Sequence, residues 1–162
     1  MESLEEVMKL ICGFLEEFQR RLPWRRVGSL ILQKILFLFE QKKKWDLSFS
    51  LNHRGPFSEL VELGIERLLV QAIIEVISYS GGGSFIRLNQ NPYSLAEEDR
   101  ELIRRLVDKY GQLSSEELVI LTTAIFLQNR YEIESKNQLI DLIQESRPQM
   151  TRSDIKEIVR LI

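Results

Sequence analysis

The sequence has 162 residues, of which 44% are hydrophobic and 28% are charged, and its formal net charge is −2. This composition is typical of a globular protein and argues against a disordered chain, and the length favours one domain, residues 1–162, with a substantial core. No apolar run reaches the roughly 18 residues that a transmembrane helix needs. The single cysteine and an acidic N-terminus, where a signal peptide would be basic, predict a cytoplasmic protein.

Basic residues are concentrated between Arg20 and Arg54, where nine Lys and Arg residues stand against two acidic ones, so this segment carries +7 and the remainder −9. The asymmetry indicates either an anionic partner or charge complementarity between two halves of a compact fold. Because two basic clusters flank a predicted helix about 20 Å long, they are expected to form two patches. The candidate nucleic-acid contacts are Arg20, Arg21, Arg25, Arg26, Lys42, Lys43, Lys44 and Arg87.

Two helices are predicted at the start of the chain. From Ser3 to Arg21, apolar residues recur at helical spacing along one stripe, and Pro23 ends this helix. From Val27 to Gln41, apolar side chains occupy nearly every angle of a helix, so this second helix is expected at the centre of the fold. Four glutamates are expected to lie off the apolar stripe of the first helix: Glu5, Glu6, Glu16 and Glu17.

A strand, a helix and a hairpin are predicted next. Trp45–Asn52 alternates apolar and polar residues, which predicts a half-buried strand, and His53–Pro56 is predicted to be a turn. Ser58–Val70 is predicted to be a helix capped by its first serine. In Ala72–Asn89, β-forming residues flank Gly81–Gly83, which predicts a glycine-tipped hairpin.

Residues 91–162 are predicted to form about four helices, and suitable capping residues mark their starts. These residues are Ser94, Ser114, Ser135 and Thr151. Together with the earlier elements, they predict a mainly α protein of the α+β class. Residues 1–90 are expected to form a winged-helix-like part built from the central apolar helix, the short strand, the next helix and the hairpin. Residues 91–162 are expected to pack against it as a helical part.

The residue pattern indicates no catalytic, metal-binding or cofactor-binding chemistry. His53 is the only histidine, and because no nucleophile motif lies near it, hydrogen bonding within the turn is its expected role. Cys12 lies too far from His53 in the sequence to form a recognisable zinc pattern, and it is expected to be a small core side chain. The protein is therefore expected to be non-enzymatic and to need no cofactor.

The predicted order of helix, strand, helix and hairpin is that of a winged helix, in which the helix before the hairpin enters the DNA major groove. The exposed face of that helix carries Glu59, Glu62 and Glu66, and Arg67 is its only base. Carboxylates oppose the binding of phosphates. These three glutamates are therefore candidates for a face that binds a protein partner.

Several short motifs resemble the YwgA-like and Panacea (SocA-type antitoxin) group, and the resemblance covers about Val27–Leu121. The chain departs from the group at Arg54, where an aromatic residue is usual before the Gly-Pro pair. The motifs are Leu32-Gln33-Lys34-Ile35-Leu36-Phe37, Gly55-Pro56-Phe57-Ser58, and Tyr110-Gly111-Gln112-Leu113-Ser114 followed by Glu117-Leu118.

The resemblance implies a compact, mainly helical prokaryotic domain from a group that neutralises toxins or serves as proteolytic adaptors, and some of whose members are described as DNA-binding regulators. It also implies structural signature positions at Gln33, Lys34, Gly55 and Pro56. We therefore expect a non-enzymatic module that binds a protein partner. The alternative is a DNA-binding transcriptional regulator that uses the basic segment 20–54.

Gln33 and Lys34 are two adjacent polar residues in a helix whose other residues are mostly apolar and are expected to be buried. A buried charge needs hydrogen-bond or charge partners, because leaving it unpaired is costly. The pair is therefore expected to brace the His53–Pro56 turn against the central helix, and a ligand site is the alternative.

Overall fold

A computed structural model describes residues 1–162. It contains seven helices and two small antiparallel hairpins, which confirms the mainly helical α+β class. In chain order the elements are α1 (Leu4–Arg21), α2 (Ser29–Lys42), β1 (Ser50–Asn52), β2 (Gly55–Phe57), α3 (Glu59–Val70), β3 (Ile74–Ser78), β4 (Ser84–Leu88), α4 (Glu97–Tyr110), α5 (Ser115–Tyr131), α6 (Lys136–Ser146) and α7 (Arg152–Val159). None of the helices is long and apolar enough to cross a bilayer.

Helix α2 lies at the centre of the fold, as its apolar sequence predicts. Every residue from Ile31 to Phe39 is buried, and α1, α3, α4, α5 and β2 all pack against the helix. One hydrophobic core of 37 buried residues extends from Val7 to Val159. A helix without a polar face is stable only when other elements surround it, and this arrangement supplies them.

The strand predicted over Trp45–Asn52 is wrong in extent. Only Ser50–Asn52 is a strand, and it pairs with β2, whose first two residues lie in the predicted turn. Ser48 interrupts the extended chain with φ of 57°. Side chains still alternate between inside and outside up to Phe49, because alternate residues pack on the core. Alternation reports burial on one side of the chain and does not identify a hydrogen-bonding partner strand.

Helix α3 and the second hairpin form as predicted. Ser58 caps α3 by accepting a hydrogen bond from the Val61 amide. Strands β3 and β4 pair antiparallel with Ile74 opposite Leu88. The three glycines at the tip all have positive φ, a backbone region that residues with a side chain rarely adopt.

The caps of the C-terminal helices are predicted correctly in three of four cases. Ser114 forms a complete capping box with Glu117, and Ser135 and Thr151 also cap their helices. The cap predicted at Ser94 is wrong, because α4 begins at Glu97 and its N-cap, Ala96, has no side-chain hydrogen bond. Leu95, between the predicted and the observed cap, packs on the core beside Gly13.

Glu17 is buried, although its place off the apolar stripe of α1 predicted a solvated side chain. Only 3% of its surface is exposed. Three arginines lie within 4.0 Å of its carboxylate, from α1 itself and from α4, which packs across this face. A buried carboxylate needs such partners, and α4 contributes Arg104, which no local pattern in α1 reveals.

Candidate functional site

Gln33 and Lys34 connect α2 to the segment that runs from β2 into α3. The Gln33 side chain accepts a hydrogen bond from the Ser58 amide and donates one to the Ser58 carbonyl, both at 2.9 Å. Lys34 Nζ donates to the Pro56 carbonyl at 2.7 Å. The contact between Lys34 and the end of the predicted turn agrees with expectation, whereas Gln33 acts two residues further on, at the cap of α3.

Lys34 has no acidic partner, although only 1% of its surface is exposed. Its pKa falls from the ordinary 10.5 to about 8, chiefly because burial disfavours the charged form and further because Arg54 and Arg147 are near. The Pro56 carbonyl is its only hydrogen-bond acceptor. Lys34 and Arg147 both donate hydrogen bonds to carbonyls of the β1–β2 hairpin, whose own turn contributes Arg54.

Gly55 lets this hairpin approach α5 closely. Its φ is +90°, and an added Cβ would lie 2.9 Å from Thr123 Oγ1 and 3.5 Å from Lys34 Cε. Thr123 Oγ1 is buried and has no hydrogen-bond partner. A glycine is thus required here on two grounds, backbone conformation and space.

A groove with a volume of about 590 Å³ opens between this hairpin, the C-terminal half of α5, and α6. We call it the α5–α6 groove. Its apolar residues are Leu51, Leu127, Tyr131, Ile133 and Leu142, and its polar residues are Asn52, His53, Thr123, Gln138, Ser146 and Arg147, with Gly55 at the floor. Arg147 Nη2 donates to the His53 carbonyl at 3.0 Å, which ties the end of α6 to the hairpin.

The acidic face of α3 is open to solvent. Glu59 and Glu66 are exposed, Glu62 is half-buried, and no lysine or arginine lies within 4.0 Å of any of the three carboxylates. Two apolar residues of the same helix are also exposed, Leu63 at 43% and Val70 at 83%. We call these five residues the α3 face.

The basic residues proposed as nucleic-acid contacts do not form one patch. Four of them pair with acidic groups of the same chain: Arg20 with Glu16 and Glu17, Arg21 with Asp108 and Glu17, Lys43 with Glu98 and Asp99, and Arg87 with Glu75. Lys42 and Lys44 are exposed at the C-terminal end of α2. Internal pairing thus accounts for part of the charge asymmetry of the sequence.

Arg25 and Arg26 lie at the other end of α2, in a second groove of about 730 Å³ that also contains Arg54. Arg25 donates to the Leu113 carbonyl at 2.8 Å, and burial lowers its pKa. The Arg26 guanidinium lies 4.3 Å above the centre of the Tyr79 ring. These arginines are the part of the basic segment that faces a concave surface, and we call this the basic groove.

His53 and Cys12 show no catalytic arrangement. The His53 imidazole makes no hydrogen bond, so its predicted role within the turn is wrong, and only its backbone carbonyl is bonded. The Cys12 thiol is buried, and this burial, with a smaller effect of Glu16, raises its pKa to about 12. No group of three or more His, Cys, Asp or Glu side chains could hold a metal ion.

The α5–α6 groove is the feature that the sequence did not reveal. In the sequence, Arg147 indicates only the end of a helix before Pro148, and Thr123 lies in an apolar helix and belongs to no local motif. The groove arises because α5, α6 and the β1–β2 hairpin meet in the fold. Of the groove residues, only Leu51 is marked by a sequence pattern, since it is the last apolar residue of an alternating stretch.

Comparisons of the sequence with family models and with curated proteins found no match.

Proposed function

We propose that the protein is a non-enzymatic interaction module of the YwgA-like and Panacea group, with a winged-helix-like N-terminal part, and that it binds another protein as an antitoxin or adaptor. The observation that carries this proposal is the α3 face. Its three carboxylates have no partner in the chain, and Leu63 and Val70 are exposed beside them. Exposed apolar side chains next to unpaired charges are what a protein-binding surface needs.

The charge of the α3 face also disfavours the interaction that a winged helix commonly makes. In that arrangement the helix before the hairpin would enter the DNA major groove. Affinity for DNA depends on cations that replace the counterions of the phosphates. Glu59, Glu62 and Glu66 would oppose this replacement, whereas a basic surface on a protein partner would be attracted to them.

The test is co-purification of the tagged chain from its native host at several salt concentrations. Glu59→Lys/Glu66→Lys reverses the two exposed charges of the α3 face and is expected to weaken retention of a stoichiometric partner by about tenfold or more. The matched control is Asp154→Lys/Glu157→Lys, which makes the same charge change on the exposed surface of α7. Retention that is unchanged by the α3 substitutions, or the absence of any stable protein partner, would contradict the proposal.

The rival function, a DNA-binding transcriptional regulator, is supported by one observation. Arg25, Arg26 and Arg54 share the basic groove next to the hairpin tip, where a winged helix could contact a phosphate backbone. This function predicts binding to duplex DNA that weakens steeply with salt. It also predicts that Arg25→Glu/Arg26→Glu abolishes binding, while Lys42→Glu/Lys44→Glu at the far end of α2 reduces it less. Absent or salt-insensitive binding would eliminate this function.

A further inference from the structure

The α5–α6 groove has the dimensions of a binding site and shares no residue with the α3 face. Its volume of about 590 Å³ falls in the range of roughly 300–1,000 Å³ that is typical of ligand sites. Three of its apolar residues remain exposed, Leu51 at 40%, Tyr131 at 67% and Leu142 at 37%. Apolar side chains that converge on one concave surface mark a place where another molecule binds.

One polar atom at the floor of the groove lacks a partner. Thr123 Oγ1 is buried and makes no hydrogen bond, while the neighbouring Thr122 hydroxyl bonds to the Leu118 carbonyl at 2.7 Å. Leaving a buried hydroxyl unpaired carries a free-energy cost. This atom is enclosed beside Gly55, so the uncharged polar side chains that the groove presents to an occupant are those of Asn52, His53, Gln138 and Ser146.

One basic side chain lines the groove, that of Arg147. The buried ammonium of Lys34 lies behind it, near enough for Arg147 to lower the pKa of the lysine, whereas Arg54 lines the basic groove. Glu116 is the only acidic partner of Arg147, at 3.6 Å. No carboxylate lines the groove, so its electrostatic complement is an acidic group brought by the occupant.

We infer that the α5–α6 groove docks an acidic, amphipathic segment of a partner protein, with a large apolar side chain against Leu127 and Leu142 and a carboxylate facing Arg147. This inference rests on the proposed function, since its occupant is a protein. The planar guanidinium of arginine is suited to a carboxylate because it can donate two parallel hydrogen bonds. The apolar contact supplies affinity, and the charge pair fixes the orientation of the segment.

Two other occupants match the groove less well. A second copy of the chain, bound through the same surface about a two-fold axis, would have to complement Arg147 from the groove itself, and no carboxylate lines the groove. A small amphipathic molecule within the groove would leave Tyr131, two-thirds exposed, largely in water. A protein segment extends beyond the groove and can cover that ring.

The experiment is a selection of random 16-residue peptides, displayed on phage, against the full chain. Recovered peptides are expected to carry Asp or Glu close to Leu, Ile or Phe. For the best synthetic peptide, Leu142→Asp and Tyr131→Ala in the protein are each expected to raise Kd about tenfold or more. Replacing the acidic residues of the peptide by their amides is expected to have a similar effect. Val76→Asp on β3, which replaces an exposed apolar residue outside both the groove and the α3 face, is the matched control and should leave Kd unchanged.

Four results would overturn the inference. The first is that no binding peptide is recovered, and the second is that peptide binding is insensitive to both groove substitutions in variants whose circular dichroism is unchanged. The third is that decanoate binds more tightly than any peptide. The fourth is that the chain self-associates and Leu142→Asp abolishes this self-association. If no peptide binds the groove but co-purification of a partner still depends on the α3 face, the proposed function stands without this inference. If peptides bind the groove but no host protein co-purifies, the proposed function fails separately.

Discussion

Lys34 combines a nearly complete burial with a single hydrogen bond to a backbone carbonyl. An ammonium group in such a place is costly, because a carbonyl returns only part of the solvation that burial removes. The position is nevertheless useful, because Lys34 and Gln33 together hold the two ends of the segment from Pro56 to Ser58. The burial of Lys34 therefore lowers the stability of the fold, but its hydrogen bond fixes the path of the chain into α3.

The lowered pKa of Lys34 predicts an increase in its contribution to stability as pH rises. Between about pH 8, its pKa in the folded protein, and the ordinary 10.5, the unfolded chain keeps a proton that the folded chain has released. The free energy of unfolding therefore rises with pH in this window. Relative to Lys34→Met, the wild-type protein is expected to gain about 2 kcal/mol between pH 7 and pH 9.5.

Urea unfolding of both proteins at the two pH values measures this difference. Lys44→Met removes an exposed lysine at the end of α2 and controls for the loss of a positive charge. A difference between wild type and Lys34→Met that stays constant with pH would show that the ammonium is solvated in the folded protein.

The contact between β2 and α5 depends on glycine, and Gly81 at the hairpin tip offers a matched comparison. Gly55 and Gly81 have similar φ values of +90° and +96°, but a Cβ on Gly81 meets no atom within 4 Å. Gly81→Ala is therefore expected to cost only backbone strain, about 1 kcal/mol. Gly55→Ala adds a clash with Thr123 Oγ1 and is expected to cost about 2–4 kcal/mol in the free energy of unfolding. Equal losses in denaturant unfolding would contradict the close packing of β2 on α5.

The helix caps give a second comparison between elements. Ser114 caps α5 through a reciprocal pair of hydrogen bonds with Glu117, at 2.9 and 3.1 Å. Ser114→Ala is expected to reduce the free energy of unfolding by about 1 kcal/mol. Ser94, which has a similar local sequence but no capping bond, should tolerate alanine with a loss below about 0.5 kcal/mol. Thermal unfolding of both variants would decide this, and equal losses would restore Ser94 as a cap.

Local sequence is sufficient to predict those elements whose stabilising contacts are local or whose burial is complete. The period of α1, the apolar character of α2 and three of the four caps all fall in this class. Ser94 and the segment before β1 do not, because Leu95 and Phe49 are placed by the core rather than by neighbours in sequence. The α5–α6 groove is the feature that local sequence predicts least well, since its residues come from three separate stretches of the chain.

In the whole molecule, the uneven charge of the sequence has two different outcomes. Lys43 and Arg21 pair with acidic residues of α4, so part of the basic segment holds the N-terminal and C-terminal parts together. Exposed ion pairs of this kind contribute little to stability. The carboxylates of the α3 face have no partner in the chain, and the α5–α6 groove is lined by Arg147 and by no carboxylate; both lie on the surface. They account for our proposal that the protein binds another protein.

The most direct test of that proposal is the mass of the tagged chain purified from its native host, determined by size-exclusion chromatography with light scattering after nuclease treatment in 0.5 M salt. The chain alone has a mass of 19.1 kDa. A protein-binding module is expected to elute with a stoichiometric second polypeptide and a correspondingly larger mass. A mass of one chain, or of a whole-number multiple of it, both in this buffer and after purification at about 0.1 M salt would contradict the proposal.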